Sequence, residues 1–318
     1  MRAYQLDYNE WVTLNGDRQN IRIRSQNAAN PVILFLHGGP GVCDRHMVLQ
    51  YQSALSRDFT MVMWDQRGSG KSFTKESLKR PVHIADYVSD AEQLVRQLCQ
   101  KFKQDQIILA CHSWGTVVGL TLAAQYPQQI AAYVGQGQFV NGAENELLSW
   151  QFCLEEAKRL GDQKAVKRLS GIAPVNGNYQ SHDAMMIQRD YLAKYGGGNF
   201  KHRGGMVQSM LLPLLKTKEY SLPDIVRYAR GGMHLSDVLW GEVVACRFDE
   251  TVRALDMPIL LTTGRHDYNT PAALAEAWFQ TLQAPRKEWV WFEDSAHSPI
   301  WEEPEKWGAA VRAFCRAL

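Results

Sequence analysis

Ser113 stands in the run Cys111-His112-Ser113-Trp114-Gly115, at a point where a strand should turn sharply into a helix. Upstream, Gln106–Cys111 is a short, mostly apolar run with no helical spacing, which reads as a buried strand. Downstream, Thr116–Gln125 reads as a buried helix stopped by Tyr126-Pro127. A serine at such a junction sits on a strained turn. Its hydroxyl projects above the sheet, and the next backbone N–H points at the same space. The usual pattern is G-x-S-x-G, and Cys111 takes the place of the first glycine. Strand and helix pass close to the turn, so a small residue is needed there, and cysteine is a small substitute. The bland reading of Ser113 is a helix cap, a position serine favours.

Three further segments count against the bland reading. Val32–Leu36 is an apolar strand running into His37-Gly38-Gly39-Pro40-Gly41. Glycines there let the backbone, Gly38 included, approach a substrate closely and leave an N–H free for a developing oxyanion. Pro258–Gly264 is a third buried strand, with Arg265-His266-Asp267 at its carboxyl end. Lys287–Phe292 alternates, as a strand does, and Glu293-Asp294-Ser295-Ala296-His297 follows it. The order Ser113, Asp267, His297, each just past a strand, is the chain order of the α/β-hydrolase triad and not that of chymotrypsin or subtilisin.

The chemistry these residue types permit is acyl transfer. A serine hydroxyl is a weak nucleophile at neutral pH, so an imidazole must take its proton as it attacks a carbonyl. His297 has the pKa range for that shuttle and would return the proton to the leaving group. Asp267 would hold the ring in the right tautomer and stabilise the imidazolium. The geometry then requires His297 within hydrogen-bond reach of both Ser113 and Asp267. Water resolves the acyl-enzyme, and no metal or organic cofactor is needed.

With these segments in view, the chain resembles the proline iminopeptidase family of serine peptidases, within the α/β-hydrolase superfamily. The resemblance rests on His37–Gly41, on Trp64-Asp65-Gln66-Arg67-Gly68-Ser69-Gly70-Lys71-Ser72 and on Ser113-Trp114-Gly115. It covers about residues 1–139 and 248–318. It implies an α/β-hydrolase fold and maps nucleophile, acid and base onto Ser113, Asp267 and His297. It also implies oxyanion donors at the N–H groups of Gly39 and Trp114. The chain departs from the family at Cys111 and in lacking the W-x-x-W-E segment by which many members hold the substrate amine.

The elements that must position these residues alternate along the chain. Residues 3–13 and 19–25, joined around Asn15-Gly16-Asp17, read as an amino-terminal hairpin. Strands near 32–37, 60–65, 106–112, 130–136, 258–263 and 287–292 alternate with helices near 84–103, 114–125, 271–282 and 304–317. That predicts an α/β class with a mostly parallel sheet covered on both faces. Residues 140–247 break the rhythm with helical stretches at Glu144–Leu160, Ser181–Tyr195 and Pro223–Tyr228. They predict an inserted helical cap over a catalytic domain of 1–139 and 248–318. Glycine clusters at 196–198, 204–205 and 231–232 read as surface turns, with hinges for cap motion the rarer reading.

Composition bounds the rest. A chain of 318 residues can bury a large core as one domain with an insertion, or as two domains. Lys and Arg total 35 against 33 Asp and Glu, and a net +2 offers no field for nucleic acid or an anionic membrane. The sequence holds no run of about eighteen apolar residues, the length that would span a bilayer. Met1–Asp7 lacks the apolar core of a signal peptide. Six scattered cysteines with no C-x-x-C read as reduced thiols of a cytoplasmic protein. Nothing in the sequence sets the oligomeric state.

Several residues compete for roles. Asp256 precedes its strand and Asp294 lies too near His297 along one loop, so Asp267 is preferred as the acid. His266 and His112 read as packed or hydrogen-bonding histidines. Gly68–Ser72 ends like a phosphate loop, but Asp65 stands where that pattern needs glycine. Asp65-Gln66-Arg67 reads as a structural turn with Arg67 in a buried charge pair, and Trp114 as packing the pocket wall. An aminopeptidase must meet the substrate's ammonium with one or two carboxylates near the cleft and no competing cation, and by topology Glu144 or Glu146 is nearest, ahead of Asp183 and Asp190. The bland reading of Glu144 and Glu146 is exposed helix-start carboxylates. The substrate is thus a small peptide or, failing an amine ligand, a small ester or amide. A non-catalytic binding protein is disfavoured by an intact triad, and Ser113 excludes the elbow aspartate of epoxide hydrolases.

Overall fold

The computed structural model describes residues 3–201 and 212–318. The strands in chain order are β1 Leu6–Leu14, β2 Asp17–Ser25, β3 Val32–Leu36, β4 Thr60–Asp65, β5 Ile107–His112, β6 Ile130–Gln136, β7 Ile259–Gly264 and β8 Lys287–Phe292. They form one sheet in the order β1-β2-β4-β3-β5-β6-β7-β8. β2 pairs antiparallel with β1 and with β4, and the other neighbours are parallel. The β1–β2 hairpin closes through Asn15 at φ 46° and Gly16 at φ 84°, the left-handed pair that a two-residue turn requires.

Period-two alternation survives inside fully buried strands and builds two cores. Val32, Leu34 and Leu36 of β3, with Leu109 and Cys111 of β5, face one cluster. Ile33, Phe35, Ile108 and Ala110 face the other. The first face is covered by α2 Ile84–Phe102 and α3 Trp114–Gln125, which follow the short α1 Arg45–Gln52 in the chain. Between β6 and β7 the described residues add no strand to the sheet. They form α4 Gly142–Arg159, α5 Gln163–Ser170, α6 His182–Tyr195, α7 Leu212–Lys216, α8 Leu222–Ala245 and α9 Phe248–Thr251. The chain then supplies α10 Ala272–Thr281, α11 Pro299–Glu302 and α12 Pro304–Cys315, the last packing against the second core through Trp307, Val311 and Phe314.

α8 corrects two expectations. It runs for 24 residues, not the short stretch around 223–228, and Gly231 and Gly232 lie inside it, in neither a turn nor a hinge. A Cβ on Gly231 would stand 2.3 Å from the Gly68 carbonyl oxygen, and one on Gly41 2.9 Å from the Gly232 Cα. These glycines therefore let a helix lie directly on the Gly68 turn and the His37–Gly41 loop, a contact that outweighs their low helix propensity. The cluster at 196–198 is a turn, with Gly196 capping α6 at φ 83°. Residues 204–205 lie outside the described residues.

Polar contacts fasten the start of α8 to the sheet. The Tyr220 hydroxyl donates to Asp65 Oδ1 at 2.8 Å, and Arg45 pairs with Asp65 Oδ2 at 2.7 Å. Asp224 pairs with Lys71 at 2.9 Å, and Glu219 with Arg22 at 3.2 Å. With both partners fully buried, loss of either Arg45 or Asp65 would leave an uncompensated charge in the core.

Candidate active site

Ser113 is the residue between β5 and α3, and its backbone holds φ 54°, ψ −119°, a conformation that L-residues rarely adopt. Neighbouring contacts hold it there. Ser113 N–H donates to the Gln136 carbonyl at 3.0 Å, and the Ser113 carbonyl accepts from Thr116 N–H at 2.7 Å and Thr116 Oγ1 at 2.6 Å. Close passage of α3 over β3 demands the following glycine, because a Cβ on Gly115 would stand 2.0 Å from the Leu36 carbonyl oxygen.

Asp267 follows β7 and is buried, with both oxygens occupied. Oδ1 accepts from the N–H groups of Asn269 and Thr270, each at 2.9 Å. Oδ2 accepts from Thr270 Oγ1 at 2.9 Å and from His297 Nδ1 at 3.0 Å. Because a carboxylate only accepts, the His297 proton sits on Nδ1 and Nε2 is the basic nitrogen. That Nε2 is buried and has no hydrogen-bond partner among the described residues. The acid contact thus falls on Asp267, while the competing Asp256 and Asp294 are exposed. No hydrogen bond joins Ser113 to His297 among the described residues, so only the acid–base half of the expected contact is closed here.

The glycine loop lies against the same place. Gly38 is buried, and a Cβ there would stand 3.4 Å from Ser113 Cβ and 3.3 Å from His112 Nδ1. Gly39 has φ 127°, where a Cβ would meet the Gly41 nitrogen at 2.3 Å. Neither the Gly39 N–H nor the Trp114 N–H donates to any acceptor among the described residues. Trp114 itself sits in the core and not on a pocket wall. Its ring meets Tyr87 edge-on at 5.2 Å, and its Nε1 donates to Gln66 Oε1 at 2.8 Å. Gln66 N–H also donates to His37 Nε2 at 3.2 Å, so the Asp65-Gln66-Arg67 turn braces both loops. Arg67 forms the expected pair, with buried Asp90 at 2.7 Å.

The two carboxylates at the start of α4 differ from each other. Glu144 is exposed in the first turn of α4. Glu146 is fully buried and accepts from Arg189 Nη2 on both oxygens at 2.7 Å, and from Asn145 Nδ2 at 3.2 Å. Asn145 Nδ2 also donates to the Asn269 carbonyl at 3.0 Å, which ties this group to the Asp267 loop. Asp183 lies in the first turn of α6 and Asp190 on the same helix.

Four residues of the site had no signal in the sequence or only a faint one. Thr270 was legible at most as the last member of an Asp-x-x-Thr turn. Gly137, at φ 54°, lies so close to His297 that a Cβ would stand 2.6 Å from its Cε1. Glu302 is buried and accepts from Ala296 N–H at 2.9 Å and Phe200 N–H at 2.7 Å, linking the His297 loop to the 140–247 segment. His112 is the hydrogen-bonding histidine the sequence suggests, but nothing local announces its place beside His297, whose ring lies 5.0 Å away, centroid to centroid. His266 instead stacks on Phe200 at 3.9 Å.

The chain is similar to known proteins of this fold. The pattern of the alpha/beta hydrolase fold matches residues 31–304. A probable aminopeptidase of Bacillus subtilis (strain 168), YbaC, is 32% identical over 313 residues, covering 96% of this chain and 95% of that protein. A proline iminopeptidase of Lactobacillus delbrueckii subsp. lactis is 24% identical, covering 95% and 94%. The crystal structure of a Mycobacterium smegmatis proline iminopeptidase superposes with a TM-score of 0.67 at 14% identity, over 98% of each chain. Among the described residues no helix is long and apolar enough to cross a membrane.

Proposed function

The chain belongs to the alpha/beta hydrolase fold family, and we propose that within it this protein is a serine hydrolase working through an acyl-enzyme. Ser113 attacks the substrate carbonyl, and His297 Nε2 takes its proton. Asp267 fixes the tautomer, and the amides of Gly39 and Trp114 receive the oxyanion. The observation that carries this reading is the pairing of the strained Ser113 backbone with an imidazole whose Nδ1 is bound to Asp267 and whose buried Nε2 has no partner. The undonated amides of Gly39 and Trp114 would supply the charge stabilisation on which such reactions depend most, each worth about a hundred- to a thousandfold in rate.

For the substrate, the reading is an exopeptidase that releases amino-terminal residues, proline among them, from small peptides, with residues 140–247 as its cap. Its support is likeness to a probable aminopeptidase over nearly the whole chain. Glu144 is exposed, so the amine contact is assigned to buried Glu146, where the substrate ammonium would have to share the carboxylate with Arg189. A second reading, a carboxylesterase or amidase, draws on the same pair, since Arg189 already neutralises Glu146. The deciding experiment compares prolyl, alanyl and amine-blocked chromogenic amides with short-chain esters on one preparation. Turnover confined to free-amine amides supports the exopeptidase. Turnover of esters with no amine preference supports the alternative.

A further inference from the structure

The residue before Ser113 and the residue after His297 are bonded to each other: His112 Nε2 and Ser298 Oγ are 3.2 Å apart. On its other side, His112 Nδ1 lies 3.2 Å from Asp44 Oδ2. A carboxylate only accepts, so Nδ1 carries the proton, Nε2 is the acceptor, and the Ser298 hydroxyl donates. The three groups form a directional chain from Ser298 through His112 to Asp44.

Each member sits on a different piece of the site. Asp44 lies just beyond the His37–Gly41 loop, His112 ends β5 at the Ser113 turn, and Ser298 stands on the His297 loop. The Gly38 backbone closes on the same ring, 3.3 Å from Nδ1 if it bore a Cβ, and Trp301 meets the ring edge-on at 5.0 Å. The groups facing His112 are therefore Asp44, Ser298, the imidazole of His297, Trp301 and the Gly38 backbone. Burial holds the His112 imidazole below its ordinary pKa, opposed by Asp44 and aided by His297. A neutral ring there puts no second positive charge against the imidazolium that His297 becomes during proton transfer.

We propose that His112 is a positioning residue. Through Asp44 and Ser298 it fixes the register of nucleophile, base and oxyanion loop relative to one another. The proposal rests on the serine-hydrolase reading of Ser113 and His297. Misplacement of reacting groups by about 1 Å can cost about a hundredfold, whereas a purely packing role would change stability and leave turnover intact.

The test is a double-mutant cycle of Ser298→Ala and His112→Phe. It follows kcat and KM on the best substrate, the rate of Ser113 labelling by a fluorophosphonate, and Tm. Ser298→Ala removes one hydroxyl and is expected to lower kcat and the labelling rate about tenfold with KM and Tm near wild type. The double variant should lose little more than His112→Phe alone, because the two act as one unit. Should His112→Phe fail to fold, Asp44→Asn replaces it in the cycle. Labelling and kcat of Ser298→Ala within twofold of wild type, or losses that simply multiply, would overturn the inference while leaving the serine-hydrolase reading intact. Failure of the wild-type protein to label at Ser113 would overturn both.

Discussion

Gly119 makes room for Cys111: a Cβ on Gly119 would stand 2.3 Å from the Cys111 Sγ. This pair explains how the turn tolerates cysteine where glycine is usual. The thiol projects from β5 into the space that α3 leaves by carrying glycine at 119, and both residues are buried. The departure that weakens the sequence motif is thus compensated elsewhere in the same helix.

Gly119→Ala should therefore overpack the site and destabilise the fold by about 1–3 kcal/mol. Adding Cys111→Ala should recover part of that loss, although Cys111→Ala alone leaves a small void. Denaturant melts of the three variants measure the coupling, and strictly additive losses would show that the two side chains do not compete for space.

Much of the fold was legible because local signals and tertiary demands agree. Asn15-Gly16 closes its hairpin, and the strands carrying Ser113, Asp267 and His297 are apolar runs ending at loops. The chain order then points to the same acid that binds the imidazole. Where local and tertiary signals conflict, the sequence misleads. Gly231-Gly232 reads as a turn but serves close packing of α8 on Gly68. One partner of Glu302, Phe200, lies 102 residues from it, and no local pattern announces such a contact. Arg189 cannot be foreseen as the partner of Glu146 either, since they meet only when α4 and α6 pack.

The backbone of Ser113 predicts a trade between stability and activity. Glycine would adopt φ 54°, ψ −119° without the Cβ penalty. Ser113→Gly should gain about 1 kcal/mol of stability while losing turnover and fluorophosphonate labelling. Chemical denaturation beside a labelling assay checks both halves. Lower stability in the glycine variant would show that the hydroxyl contributes more to the fold than the strain costs.

His46 predicts how stability depends on pH. Burial pushes its imidazole down to about 4, with Asp44 and Asp65 opposing the shift. The folded protein thus keeps His46 neutral over a range in which the unfolded chain protonates it. The contribution is fully present above pH 6.5 and is lost as pH falls through about 4, at a cost of about 3 kcal/mol. His37 and His112, also lowered chiefly by burial, act with the same sign. Melting curves between pH 7 and pH 4 should show the decline, and His46→Phe should flatten part of it. A parallel decline in wild type and variant would assign the effect to other groups.

The amine preference turns on Glu146, and its pairing with Arg189 sets how that can be tested. Glu146→Gln alone would leave the part-buried Arg189 guanidinium without its carboxylate, a loss of stability that confuses folding with recognition. Glu146→Gln combined with Arg189→Met removes both charges and keeps apolar volume beside Trp240, over which Arg189 now lies at 5.4 Å. If Glu146 receives the substrate ammonium, blocking that amine should lower kcat/KM of the wild-type enzyme about a hundredfold, because a polar contact in a buried site is left unmade. The double variant should lose this discrimination, with free and blocked amides falling to the same low rate and simple esters turning over as before. Equal rates on free and blocked substrates in the wild-type enzyme would remove Glu146 from recognition and leave the esterase reading in its place. Discrimination that survives in the double variant would move the amine contact to another carboxylate of the 140–247 segment.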